Sequence, residues 1–151
     1  MGSVGQMSAV EAAWFAGYFD ADGCVGIYNH KTKREDGTPR NENWVVLLGV
    51  SGIHRESLER WKAAFGGTLY LTNPRVRRPN ERTLWQWKQA GRAALVTLAA
   101  ITPYLVTKRE QAEVALTYPL STIARGIYQP DLHARRAELA ATLKRLKAEV
   151  A

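Results

Sequence analysis

Two carboxylates, Asp20 and Asp22, close the otherwise apolar stretch Trp14-Phe15-Ala16-Gly17-Tyr18-Phe19, and Gly23 follows them. Charge is costly to bury without a partner, so acids at the foot of such a run need a reason to be there. A calcium loop counted from Asp20 would put glycine sixth and an acid twelfth. Those places hold Val25 and Lys31, which excludes an EF-hand. Asp and Gly are also good turn formers, and Asp20 can bond the backbone locally. A lysine of interest stands far downstream. Thr107 and Glu110 have capping-box spacing, which places Lys108 at the first residue of a helix. The helix dipole is positive there, so the lysine and the backbone amides together favour an anion or a polarised water.

The surrounding elements must position these groups. Ser8 and Glu11 form a first capping box, and from Ala9 to Phe19 almost every position is apolar or small. A helix apolar all round is expected to be buried on all sides. Ala9, Ala13 and Gly17 make one small-residue stripe, and Ala12, Ala16 and Asp20 a neighbouring one. Such stripes let two backbones approach closely, either inside one core or against a second copy of the helix. After Gly23 the period changes to two, with Cys24, Gly26, Tyr28 and His30 facing one way and Val25 and Ile27 the other. A second strand is predicted over Trp44 to Ser51, then a helix with Leu58, Trp61 and Phe65 inward, closed by Gly66 and Gly67. Strands over Thr68 to Thr72 and Arg82 to Gln89 precede a helix halted by Pro103. The capped helix at Lys108 ends before Pro119. From Asp131, Leu139, Leu143, Leu146 and Val150 mark an amphipathic tail helix, with Arg135, Arg136, Lys144 and Lys147 on its solvated face.

That order gives an α+β layer pair: one domain over residues 1–151, with a four-stranded sheet, helices on one face and extra C-terminal helices. The other sheet face lies open. Two basic segments, His30 to Arg40 and Pro74 to Arg82, read as hairpin tips that rim it. Twenty-one Lys and Arg against fourteen Asp and Glu leave a charge of +7, which favours a polyanionic partner such as nucleic acid. No apolar run approaches the roughly 20 residues of a membrane span, and the first residues lack the features of a secretory signal. The expectation is an intracellular protein with no membrane partner. Cys24 stands alone, so no intramolecular disulfide forms, and it reads as a small hydrophobe without a role.

The stretch Phe15-Ala16-Gly17-Tyr18-Phe19-Asp20-Ala21-Asp22-Gly23 resembles the LAGLIDADG homing endonuclease motif, with aromatics in place of the leucines and isoleucine. The segment Pro103 to Leu116 is similar to a later stretch of the same family, where a lysine follows a Pro-aromatic-Leu corner. The resemblance implies an αββαββα-type fold whose motif helices pack about a two-fold axis and deliver acids to the scissile phosphates. A single motif implies a homodimer and a near-palindromic target, with Ala9, Ala13, Ala16, Gly17 and Asp20 at the dimer interface. It also implies Asp22 as metal ligand, the Ala21 carbonyl beside it, and Lys108 as the catalytic lysine. Ser51 and His54 are looser matches to groups that position water. Only oxygen ligands are on offer, with no His/Cys cluster, so Mg²⁺ is favoured over Zn²⁺ and no small-molecule cofactor is expected.

The expected partner is double-stranded DNA, gripped by the open face and its rims. Steps of two from Asp22 select Tyr28, His30, Thr32 and Arg34. With Trp85 and Trp87 in the core, Arg82, Gln86 and Lys88 face the duplex. Arg75, Arg77 and Arg78 are expected on phosphates. The function implied is a metal-dependent, site-specific DNA endonuclease of intron or intein mobility type. The alternative is a non-cleaving relative such as an intron maturase or a DNA-binding regulator.

Overall fold

The computed structural model describes residues 7–30, 33–38, 41–72, 82–121, 123 and 127–150. Helix α1 (Ala9–Asp22) begins where the Ser8 hydroxyl accepts the Glu11 amide at 3.1 Å. It does not stop at Phe19. Asp20, Ala21 and Asp22 form its last turn, and the extended backbone of Gly23 starts strand β1 (Gly23–Asn29) directly. A side chain at Gly23 would collide with the Phe19 ring, so glycine is required where helix turns into strand.

Strand β1 pairs antiparallel with β2 (Trp44–Gly52), and helix α2 (Arg55–Phe65) leads to β3 (Thr68–Leu71) and β4 (Trp85–Ala90). All pairings are antiparallel, in the spatial order β1-β2-β4-β3. Helix α3 (Gly91–Ile101), a 3₁₀ turn (Thr102–Tyr104), α4 (Arg109–Leu116) and α5 (Pro130–Val150) complete the chain. This is the expected α+β architecture. Alternation does the sorting: Val25, Val46, Leu48, Val50 and Trp87 are fully buried beneath the helices, as the period-two pattern requires. Trp87 inside fixes the parity of β4, so Gln86 and Lys88 lie on the opposite, open face.

The core is aromatic. Trp61 of α2 lies 4.9 Å from Phe15, 5.0 Å from Trp87 and 5.5 Å from Phe65, ring centroid to ring centroid. Each such pair adds about 0.5–1.5 kcal/mol beyond area burial, which makes this cluster the anchor between α1, α2 and the sheet. A buried polar chain supports it: the Thr97 hydroxyl donates to Gln89, whose amide donates to the Phe65 carbonyl at 2.7 Å.

Three expectations change here. Within one chain helix α1 is not buried all round: Ala12, Phe15, Ala16 and Phe19 are buried and Tyr18 packs beside them, while Val10, Ala13 and Gly17 are exposed. In α5, Leu139, Leu143 and Leu146 are buried as expected, but Val150, at the end of the helix, is 63% exposed. Arg136 does not belong to a solvated face. It is buried, its guanidinium donates twice to the Pro119 carbonyl (2.9 and 3.1 Å), and it sits 4.4 Å over the Tyr118 ring.

Helix α5 packs against the edge strand β1. Covering a free edge removes an exposed row of backbone donors and acceptors. The β1–β2 hairpin continues past the sheet: His30 donates to Asn43, Arg34 to Thr38, and Gly37 closes the tip with φ 85°. The Asp36 carboxylate accepts both the amide and the hydroxyl of Thr38, and the hydroxyl bond holds its pKa below the usual range. No described helix is long and apolar enough to cross a membrane.

Candidate functional site

The foot of α1, the turn before α4 and the open sheet face meet in one place. The Asp20 carboxylate accepts the Val106 amide at 2.8 Å and the Lys108 amide at 2.9 Å. Lys108 in turn donates from Nζ to the Phe19 carbonyl at 3.0 Å and to the Gly23 carbonyl. These carbonyls lie in the last turn of α1 and at the first residue of β1, where the negative end of the helix dipole favours a cation. The motif acid and the downstream lysine therefore fasten two distant segments reciprocally.

This arrangement corrects the expected local structure at Lys108. The lysine is the N-cap of α4 rather than its first helical residue, and its side chain makes no cap bond. An ionised carboxylate accepts amides about twice as strongly as a neutral group does, so Asp20 fixes the Val106–Lys108 turn that leads into α4. Asp20 is thus engaged inside its own chain. Ala16, expected at an interface between copies, is fully buried within the core, whereas Ala9, Ala13 and Gly17 form the exposed stripe. A β-carbon added to Gly17 meets nothing within 4 Å. Nothing in the chain itself explains a mid-helix glycine there, which costs about 1 kcal/mol relative to alanine.

Asp22 and Ala21 are both exposed at the end of α1. Asp22 acts on two neighbours. Burial, and then the Asp22 charge, push the Tyr18 phenol up, against a hydrogen bond from Ser57. The Lys108 amine is pushed down by burial first; Cys24, Asp20 and Asp22 pull it back up, and Lys147 pushes it down again. With both Asp20 oxygens spent on amides, the two acids separate in role: Asp20 holds structure, and Asp22 offers a hard oxygen outward. Among the described residues no three His, Cys, Asp or Glu side chains gather as a metal-binding group. The exposed Asp22 carboxylate and the Ala21 carbonyl could serve as hard oxygen donors to a divalent ion that keeps several waters.

The open face carries the remaining candidates. Ser51 lies on it, opposite Gln86 in register. His54 is exposed at the N-cap of α2, makes no cap bond, and bonds no other candidate among the described residues. The Tyr28 ring is half exposed and folds over Gly26. His30 and Arg34 are exposed along the hairpin, and Arg82 is exposed just before β4. Gln86 and Lys88 are half-buried on the face itself, around a hollow of about 340 Å³ shared with Cys24, Tyr28, Leu47 and Gly49. Thr32, Arg75, Arg77 and Arg78 lie outside the described residues.

The sequence concealed one cation at this site. Lys147 of α5 reaches the open face, with Nζ 3.2 Å from Cys24 Sγ and 6.0 Å from the Tyr28 ring centroid. The signal was its place directly after Leu146, at the margin of the buried stripe rather than opposite it.

No protein-family model matches the sequence, and no curated protein does. Solved structures do, and they define the class: the chain is built on the LAGLIDADG homing endonuclease fold. The homing endonuclease I-CvuI, solved with the I-CreI target and Mg, the DNA not cleaved, is 26% identical to it. The match has a TM-score of 0.67 and covers 91% of this chain and 82% of that one. I-CvuI with its own target and Ca gives TM-score 0.65 at the same identity and coverage. The archaeal intron-encoded homing endonuclease I-Vdi141I, complexed with DNA, shares the fold at 13% identity and TM-score 0.65, over 91% and 84% of the two chains.

Proposed function

We propose that this chain is a site-specific double-strand DNA endonuclease that works as a homodimer with Mg²⁺. The observation that carries the proposal is the exposed Asp22 carboxylate, held beside Lys108 where α1 meets the open, cation-rimmed sheet face. A net charge of +7 and the 26% identity to a homing endonuclease solved on DNA support the same partner. Asp22 and the Ala21 carbonyl would hold the ion, which when bound neutralises phosphate charge and activates water.

The chain's own residues do the rest. Asp20 fixes the end of α1 against the Val106–Lys108 turn, so that Asp22 and Lys108 keep one geometry. Two of the three Lys108 donors hold the Phe19 and Gly23 carbonyls at the junction of α1 and β1, and the third is left for a phosphate oxygen. Ser51, on the face opposite Gln86, is better placed than His54 to orient a water. The exposed stripe of Ala9, Ala13 and Gly17 would receive the same stripe of a second copy and bring two Asp22 side chains together. Tyr28, His30, Arg34, Arg82, Gln86 and Lys88 would face the duplex. Asp22→Asn is expected to bind DNA as the parent does and to lose cutting. A variant that cuts at the parental rate would remove the proposed role of Asp22.

A further inference from the structure

Gln86 and Tyr70 are directly opposed across β4 and β3, and the Tyr70 hydroxyl donates to Gln86 Oε1 at 2.9 Å. The amide is thereby given a direction. Its oxygen turns toward β3, and its nitrogen turns over β2, where Nε2 lies 3.8 Å from the position a Gly49 β-carbon would take. Lys88 is aligned by the same neighbours: its Nζ sits 5.6 Å from the Tyr70 ring centroid, and its Cγ is 4.0 Å from that Gly49 position. Both side chains thus lean over β2 at contact distance from the Gly49 position. The hollow on the open face therefore meets two hydrogen-bond donors side by side, an amide N–H and an ammonium.

Resting on the reading of this face as a DNA-binding surface, we propose that Gln86 and Lys88 form a guanine-reading pair whose polarity Tyr70 sets. Guanine presents two acceptors, N7 and O6, to the major groove, which suits two donors. Adenine presents one acceptor and one donor. A glutamine reads it by aiming oxygen and nitrogen at the same base edge, and here the oxygen is turned toward Tyr70 instead. With its oxygen held by the Tyr70 hydroxyl, the amide presents its N–H₂ group to the hollow. A well-formed pair of this kind discriminates between bases by roughly 5- to 150-fold.

The test is binding selection from a randomised duplex pool in Ca²⁺, run on the parent, Tyr70→Phe, Gln86→Glu and Lys88→Gln, each first shown by circular dichroism to be folded. The parent is expected to enrich guanine at one position of each half-site. Gln86→Glu should move that position toward cytosine, whose N4 amine suits a carboxylate. Tyr70→Phe should admit adenine there, at undiminished overall affinity, and Lys88→Gln should weaken the guanine preference. Adenine enriched by the parent at the Gln86-dependent position, or a Tyr70→Phe profile identical to the parent's, would overturn the proposal while leaving DNA binding intact. A parent that enriches no sequence would overturn the DNA-binding reading itself, and this assignment with it.

Discussion

The perturbation that separates the two motif acids most cleanly is Asp20→Ala. Asp20 accepts two backbone amides, from Val106 at 2.8 Å and from Lys108 at 2.9 Å, across 86 and 88 residues of sequence. Hydrogen bonds to a charged group contribute about 1.5–3 kcal/mol each, and the half-buried setting of Asp20 lets water recover part of that. The expected loss is therefore about 2–4 kcal/mol for Asp20→Ala and about 1–2 kcal/mol for Asp20→Asn, which keeps one acceptor. Urea unfolding at fixed protein concentration measures it, since an associating chain has a concentration-dependent stability. Hydrogen exchange gives a local readout: the Val106 and Lys108 amides should be protected in the parent and exchange faster in Asp20→Ala, while the amides of β2 keep their relative order. If Asp20→Ala unfolds within about 0.5 kcal/mol of the parent, the size of a routine surface substitution, then the carboxylate is not the clamp between α1 and α4.

Gly17→Ala should stabilise the isolated fold by about 0.5–1 kcal/mol, since the added methyl meets open space. Gly17→Leu should shift mass toward monomer in light scattering; a Leu variant that stays dimeric would show that the stripe is not the contact. Burial lowers the Lys108 pKa; in the proposed role the charged amine is the active form, so cleavage should hold below that pKa and fall as pH rises through it, beneath the ordinary lysine range. The same shift means that the unfolded chain binds the proton more tightly, so the stability cost of burying the charge eases across the same rise in pH. Lys108→Arg should move the alkaline limb upward, and an unmoved limb would assign it to another group. Arg136→Met should cost about 2–3 kcal/mol by removing two bonds to Pro119 and the stacking on Tyr118, with Arg136→Lys intermediate; a neutral result in thermal unfolding would contradict the clamp on α5.

The fold was legible where local chemistry and burial agree. The period-two pattern of β1 and β2, the inward Leu58, Trp61 and Phe65 of α2, and the tryptophans of β4 all face the side that their spacing predicts. What spacing cannot show is competition between distant groups. Thr107 and Glu110 carry the letters of a cap, but the helix starts one residue later, and the carboxylate of Asp20 arrives from across the chain to bind the amides of Val106 and Lys108. Arg136 and Lys147 flank the leucine stripe of α5, and a helical wheel alone does not tell a solvated cation from one reaching a carbonyl or a sheet face. Ala16 and Gly17 are adjacent small residues of one motif, yet a 100° step sends one into the core and leaves the other open to solvent.

The measurement that bears most directly on the central claim is cleavage of a randomised duplex pool in Mg²⁺, with the ends of the products sequenced. Paired breaks on both strands, at one offset within a near-palindromic sequence and missing from Asp22→Asn, are the expected result. Breaks scattered over the pool, or an Asp22→Asn product spectrum equal to the parent's, would contradict it.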